Sequence, residues 1–363
     1  MKFFAVASMA LCAAVALAAA SPAQAQAPAQ AKVCAKPQQM EGFKTCADIA
    51  KAKAEGAFTL YSTDPEQGQV KLLAAFNKMF PEIKTSYVRL QAGALYAKVL
   101  SERQAKSYLV DVIQISDMGM ILDFQRKGGF RQYISPEMAA FKPEYKSQPE
   151  GFWTWGSIIM AGIAYNPNNV SAAEAPKTWQ DLLDPKWTDA VNVKVSSSGL
   201  QHGVYYMLKP ILGEDYFKKF ATVKPRAFDS YVQQYGRLVD GQDKIIMGAQ
   251  YSGYIEFKAK GAPLAFVFPE TGVPTVSETY GIVAEGPHPN AAELFMDWFL
   301  SPIGQQALSE ALLLHSPRPD VPAPAGSVPL KDMKLLFPAD WNAFEKDRPD
   351  FAKEWDRIVG ARR

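Results

Sequence analysis

Several short polar stretches of this 363-residue chain carry groups suited to holding a small solute. Ser196, Ser197, Ser198 and Gly199 stand between an apolar run and the start of a helical pattern, where unpaired backbone N–H groups and small hydroxyls can bind an oxyanion. Serine is also a preferred N-cap, so Ser198 can simply close its own helix, and the two roles are compatible. Ser62, Thr63 and Asp64, with Ser116 and Asp117 further on, follow apolar segments and offer more donors and acceptors. Ser and Asp are equally ordinary turn residues there. Trp153 and Trp155 alternate on one face, able to wall an organic ligand or to pack inside. Arg89 and Arg226 can clamp a carboxylate or phosphoryl group bidentately.

The serines also admit a catalytic use. His202 lies four residues after Ser198, on the same helical face, and a nucleophile needs such a base. Against hydrolysis, the serines sit in no GxSxG elbow, and no acidic residue is placed by sequence to orient His202. A binding protein, not an enzyme, is therefore expected. A purely structural or adhesive role leaves the polar strand-end loops without a purpose.

Regular elements must position these groups. A strand over 58–61 runs into the turn Ser62-Thr63-Asp64-Pro65 and a helix marked by Leu72, Leu73, Phe76, Met79 and Phe80. A strand over 83–89, a helix over 96–104 and a buried strand over 110–115 follow. A second unit pairs a strand over 191–195 with a helix whose apolar face is Leu200, Val204, Met207, Leu208 and Ile211. Strands are expected over 244–249, 264–268 and 279–284, so the alternation predicts an α/β chain with a mostly parallel sheet covered on both faces. Near the end, Asn290 reads as an N-cap and Glu293 completes a capping box, with Ala291, Phe295, Trp298 and Phe299 on one face. The proline-rich stretch 316–329 crosses to a last helical segment.

Composition narrows the class. Residues 1–27 read as a secretory signal with cleavage after Ala25 or Ala27, and 28–54 as a leader with a short helix. Cys12 follows Leu11, too large a residue for a lipidation site, so a soluble exported protein is expected. Cys34 and Cys46 then remain, and an oxidising compartment favours their pairing. No CxxC or histidine cluster suggests zinc. A mature chain of roughly 335 residues suits two domains. A net charge of +2, with charges interspersed, lacks the basic stripe that nucleic acid needs.

Read in order, the segments Phe58 to Ser62, Val110 to Ser116, Gly162-Ile163-Ala164-Tyr165-Asn166-Pro167, Thr178-Trp179-Gln180-Asp181-Leu182, Pro185-Lys186-Trp187, Gly213-Glu214-Asp215-Tyr216-Phe217, Gly261-Ala262-Pro263, Pro269-Glu270-Thr271-Gly272 and the helix from Pro287 to Leu308 resemble a known family. They are similar to the type II periplasmic solute-binding proteins of ABC importers, in the branch of ferric-ion, thiamine, phosphonate and polyamine binders. The resemblance implies a two-lobed α/β fold with a central cleft and hinge crossovers, lobe one being 55–158 plus 277–363 and lobe two 159–276. It also implies a periplasmic monomer that docks on an inner-membrane permease, with no cofactor. Ligand contacts are then expected from Ser62, Thr63, Ser116, Asp117, Trp153, Trp155, Ser197, Ser198, Gly199, Arg226, Tyr251 and Tyr254. The ferric-ion binders carry two adjacent tyrosines where this chain has Tyr251 and Ser252, a histidine near Pro65 and a glutamate near Ser116. The iron set is thus incomplete, and a small organic anion is the favoured ligand, with iron held by Tyr251 and Tyr254 as the alternative.

Overall fold

The computed structural model describes Met1 and residues 33–361; the predicted signal peptide and Cys12 lie outside the described residues. A hairpin of β1 (Gln38–Met40) and β2 (Phe43–Thr45) opens the described chain, flanked by a disulfide between Cys34 and Cys46. Next come α1 (Ile49–Glu55), β3 (Ala57–Ser62), α2 (Glu66–Met79), β4 (Lys84–Arg89), α3 (Ala92–Gln104), β5 (Val112–Ile115) and α4 (Met118–Arg126). The long strand β6 (Thr154–Tyr165) leads to β7 (Val191–Lys194), α5 (Gly199–Leu212), α6 (Glu214–Ala221), β8 (Arg226–Phe228), α7 (Tyr231–Val239), β9 (Ile245–Gln250), α8 (Tyr251–Ala259) and β10 (Ala265–Val267). The return strand β11 (Val273–Ile282), α9 (Pro289–Phe299), α10 (Pro302–Leu312), β12 (Leu335–Leu336) and α11 (Trp341–Ile358) complete it.

The sheet order is β4-β3-β5-β11-β6-β9-β7-β8, with β10 on β6 and β12 on β11. β3 is parallel to β4 and β5, and β7 to β8 and β9, as alternation with helices demands. The centre departs from the expected mostly parallel sheet: β11 and β6 run antiparallel to each other and to their flanking neighbours. Residues 154–160 of β6 pair with β11, and residues 161–165 pair with β9. One strand therefore belongs to a β3–β4–β5 half and then to a β7–β8–β9 half. β11 begins at Val273, six positions before the expected strand, because Thr275, Ser277 and Glu278 interrupt its apolar pattern although all are buried.

Core packing follows the apolar periodicities. Leu72, Leu73 and Phe76 of α2 are buried, and Phe58 stacks on Phe295 at 4.4 Å between centroids, with Phe76 and Trp298 beside them. Fully burying such a side chain contributes about 1.5–3 kcal/mol. α9 forms where its apolar face requires, but the capping box does not. His288 is the N-cap residue and makes no side-chain cap bond. The carboxylate of Glu55, at the end of α1, instead accepts from Asn290 Nδ2 at 2.6 Å, Asn290 N at 3.2 Å and Ala291 N at 2.7 Å. Glu293 turns away to pair with Arg131 at 2.8 Å. A carboxylate at a helix start satisfies orphan donors and complements the dipole, whichever part of the chain supplies it. Replacing Glu55 by alanine is expected to lower the unfolding free energy by about 1–2 kcal/mol in urea titrations. Glu293→Ala, losing a partly exposed ion pair, should cost less than about 1 kcal/mol.

Candidate ligand-binding cleft

The parallel strands of both halves point their C-terminal ends at one place. Thr63 and Asp64 follow β3, Arg89 ends β4, Ser116 follows β5, Lys194 ends β7, Ser230 and Tyr231 follow β8, and Gln250 ends β9. With Ile159 of β6, Glu278 of β11 and Ser198 at the start of α5, they line a cavity of about 40 Å³. Such convergence beyond carboxyl ends is where open α/β sheets bind ligands.

On the β3–β4–β5 side, Gln114 organises the loop. Its Oε1 accepts from Ser62 Oγ at 2.7 Å, Thr63 N at 2.8 Å and Thr63 Oγ1 at 3.1 Å. Thr63 Oγ1 lies 3.3 Å from Ser116 Oγ, so the two hydroxyls form one polar edge. On the other side Ser198 caps α5, its Oγ accepting from Gln201 N at 3.4 Å. A Cβ on Gly199 would meet Ser116 O at 2.3 Å, so glycine is what lets the two halves touch here. Gln91 Nε2 reaches Asp229 O at 3.1 Å, and Arg89 lies 3.7 Å from the Asp229 carboxylate, both across the cleft.

The electrostatics are divided. Asp64 and Glu278 are 3% and 1% exposed, in a cavity that also contains the buried Lys194. Burial pushes both carboxyls up, and the Asp64 charge pushes Glu278 further in the same direction. Gln69 Nε2 donates to Asp64 Oδ2 at 2.8 Å, and Ser157 Oγ donates to Glu278 Oε2. Burial brings the Lys194 ammonium down to about 8, against a counter-pull from Asp229. Among the described residues, the Lys194 ammonium donates one long bond, 3.4 Å to Asp229 O, and lies 5.9 Å from the Tyr231 ring centroid. Arg89, Lys194 and the α5 start thus favour an anion, while Asp64 favours a donor.

Of the residues expected from sequence, Thr63, Ser116 and Ser198 line this cavity and Gly199 adjoins it. Ser62 is fully buried behind them, bonded to Gln114. The others are placed elsewhere, each for a local reason. Asp117 caps α4 through Met120 N and is bound by Arg348, and Ser197 is exposed with its carbonyl on Arg348 Nη2 at 3.2 Å. Trp153 donates to Gln125 at 2.7 Å, and Trp155 stacks on Tyr145. Arg226 holds the carbonyls of Asp189 and Gln242 and pairs with Asp243. Tyr251 accepts from Val328 N at 3.1 Å and Tyr254 from Lys258 at 2.9 Å, their rings stacked away from the cavity. Among the described residues, no group of three or more His, Cys, Asp or Glu could hold a metal ion.

No Ser198–His202 hydrolase pair stands among the described residues. His202 is buried, with Nε2 at 3.1 Å from Asp347 and, among the described residues, no partner for Nδ1, so it meets Ser198 only through the backbone bond of their shared helical turn, His202 N to Ser198 O at 3.1 Å. Lys194, Glu278, Ser230, Tyr231, Gln91 and Gln250 were missed by sequence reasoning. A lysine closing the apolar strand Val191–Lys194 was the available signal.

Residues 107–347 match the family model of bacterial extracellular solute-binding proteins, and the chain belongs to that family. An uncharacterized protein of Haemophilus influenzae is 25% identical over 272 residues, 70% of this chain and 76% of the relative. The periplasmic binding protein AfuA of Actinobacillus pleuropneumoniae, solved with fructose-6-phosphate, superposes with a TM-score of 0.76 at 21% identity over 84% of this chain and 99% of its own. Iron-bound HitA of Pseudomonas aeruginosa does so with 0.72 at 18% identity over 84% and 99%. The fold is the two-lobed one of periplasmic binding proteins, and the chain is a bacterial extracellular solute-binding protein.

Lys194 carries a stability cost. Its folded value lies below the ordinary lysine value of 10.5, so its charge destabilises the fold at pH 7 and ceases to do so as pH rises from 8 to 10.5. Lys194→Met is expected to raise the unfolding free energy at pH 7 by about 1–3 kcal/mol. Urea titrations at pH 7 and near pH 10 should show the gain shrinking at the higher pH.

Proposed function

We propose that this protein is a soluble periplasmic receptor, freed of its signal peptide, that captures a small organic anion as a monomer and delivers it to an inner-membrane permease. The observation that carries the choice of ligand is the buried Lys194 ammonium in one cavity with Arg89, Ser198, Thr63 and Ser116. These groups hold the anionic head, and Asp64 with Glu278 takes a hydroxyl or ammonium of the same ligand. A phosphate ester meets both demands, and the fructose-6-phosphate bound to AfuA is one. The lobes are 55–158 plus 277–363 and 159–276, a division supported by the change of sheet partner along β6 and by the start of β11.

The iron alternative has iron-bound HitA in its favour. Against it, Tyr251 and Tyr254 spend their hydroxyls on Val328 and Lys258, and the tyrosine lining the cavity, Tyr231, is bonded to Glu256 at 2.7 Å.

Native mass spectrometry of protein exported to a periplasm and purified without added ligand tests both. An organic adduct lost on denaturation supports the proposal, and a mass increase matching iron refutes it. Occupancy should fall as pH is raised through about 8, where Lys194 loses its proton, and Lys194→Met should abolish the adduct at every pH.

A further inference from the structure

A cavity of about 40 Å³ admits little more than water, since one water needs about 10–15 Å³ on this scale. A ligand with an anionic head and a second polar group enters only if the halves part. The halves are tied by more than their shared strands. α11 lies against α4 of one half and against α5 and α6 of the other. Trp341, at its start, meets Trp155 edge-on at 5.8 Å. Phe351 and Trp355, both fully buried, pack on Tyr205 of α5, and Trp355 also on Phe217 of α6. Polar ties strengthen the hold on the second of these halves: Asp347 to His202 at 3.1 Å, Glu354 to Lys209 at 2.8 Å, and Asp356 to Ser196 at 3.2 Å.

Arg348 stands between. Its Nε donates to the buried carboxylate of Asp117, and its Nη2 donates to Ser197 O at 3.2 Å. Those two residues are the immediate neighbours of the cavity-lining Ser116 and Ser198. Any motion that lifts Gly199 off Ser116 must break one of these bonds or pull α11 from one of its two cores.

We infer that α11 is a latch across the cleft, with Arg348 as the positioning residue that holds the closed arrangement, and that its release from one half sets how readily ligand enters and leaves. This rests on the reading of the cleft as the ligand site. It predicts a closed form that is populated without ligand and that α11 maintains. Charge-assisted bonds of this kind shift such an equilibrium roughly tenfold or more.

The experiment is a spin-label distance measurement on the ligand-free full chain, with labels on the exposed Lys71 of α2 and Lys219 of α6 and the Cys34–Cys46 disulfide kept oxidised. The unmodified latch should give one short, narrow distance. Arg348→Ala should move population to a longer, broader distance, lowering the closed-to-open ratio roughly tenfold or more. Arg348→Lys should restore part of the short population, since a lysine can meet Asp117 but not both acceptors at once. Glu354→Ala, which cuts a tie at the other end of α11, should open the cleft by itself and covers the case in which the Arg348 variants fail to fold. Unchanged distances in correctly folded Arg348→Ala and Glu354→Ala overturn the latch. Because no ligand is used, that failure leaves the binding proposal standing, and loss of the adduct in mass spectrometry would leave the latch standing.

Discussion

The antiparallel pairing of β6 with β11 is the constraint on which the remaining architecture depends. Its register sets Ile158 opposite Ser277 and Ser157 opposite Glu278, and from Ala161 onward β6 turns to β9 as partner. Two parallel half-sheets therefore hang from one ribbon, with strand ends aimed at a shared gap. The same ribbon supplies the floor of that gap through Ile159 and Glu278. Close approach at its centre needs Gly156, where a Cβ would meet the Tyr280 ring at 2.5 Å.

Burying charge in that gap works against stability, and the protein tolerates it in two ways. Burial pushes both acids toward their neutral forms, and Asp64 accepts from Gln69 and Glu278 from Ser157. Lys194 has less relief: Asp229 and the Tyr231 ring lie near its ammonium, but among the described residues it donates one long bond, to Asp229 O, which leaves much of its donor capacity unused. A buried ammonium with spare donors beside a helix start is held in place by the fold itself, the kind of preorganisation that lowers the ordering cost of binding wherever such a group meets a ligand.

Much of the fold was legible because its signals are local. The strand, turn and helix from Phe58 to Phe80 and the serine turn leading into α5 stand where periodicity and capping residues place them. The central strands were not legible in full. β6 reads as a crossover because every residue through Ala164 is buried and no alternation survives, and β11 hides behind Thr275, Ser277 and Glu278. At the site, strand-end serines and threonines carry a signal in sequence because turns prefer them. Lys194 carries only its place at the end of an apolar strand, and Glu278 carries none, until the topology shows that their strands end or cross at the gap. Arg226, Tyr251 and Tyr254 mislead for the converse reason: their chemistry suits a ligand, but Asp243, Val328 and Lys258 engage them first.

The bond between Glu55 and the start of α9 spans 235 residues of sequence. The donors that Glu55 satisfies, and the rings of Phe295 and Trp298 that close over Phe76, lie on the far side of the whole second half. An N-terminal fragment that stops before residue 290 has α1, α2 and β3 but neither the lid of their core nor the partner of their carboxylate. Its first half can only remain unfinished, with apolar rings uncovered, until nearly all of the chain is present. The half made of β7, β8 and β9 is continuous in its sheet, yet Phe351 and Trp355 of α11 close its core over Tyr205 and Phe217, so both halves wait for the C-terminal segment.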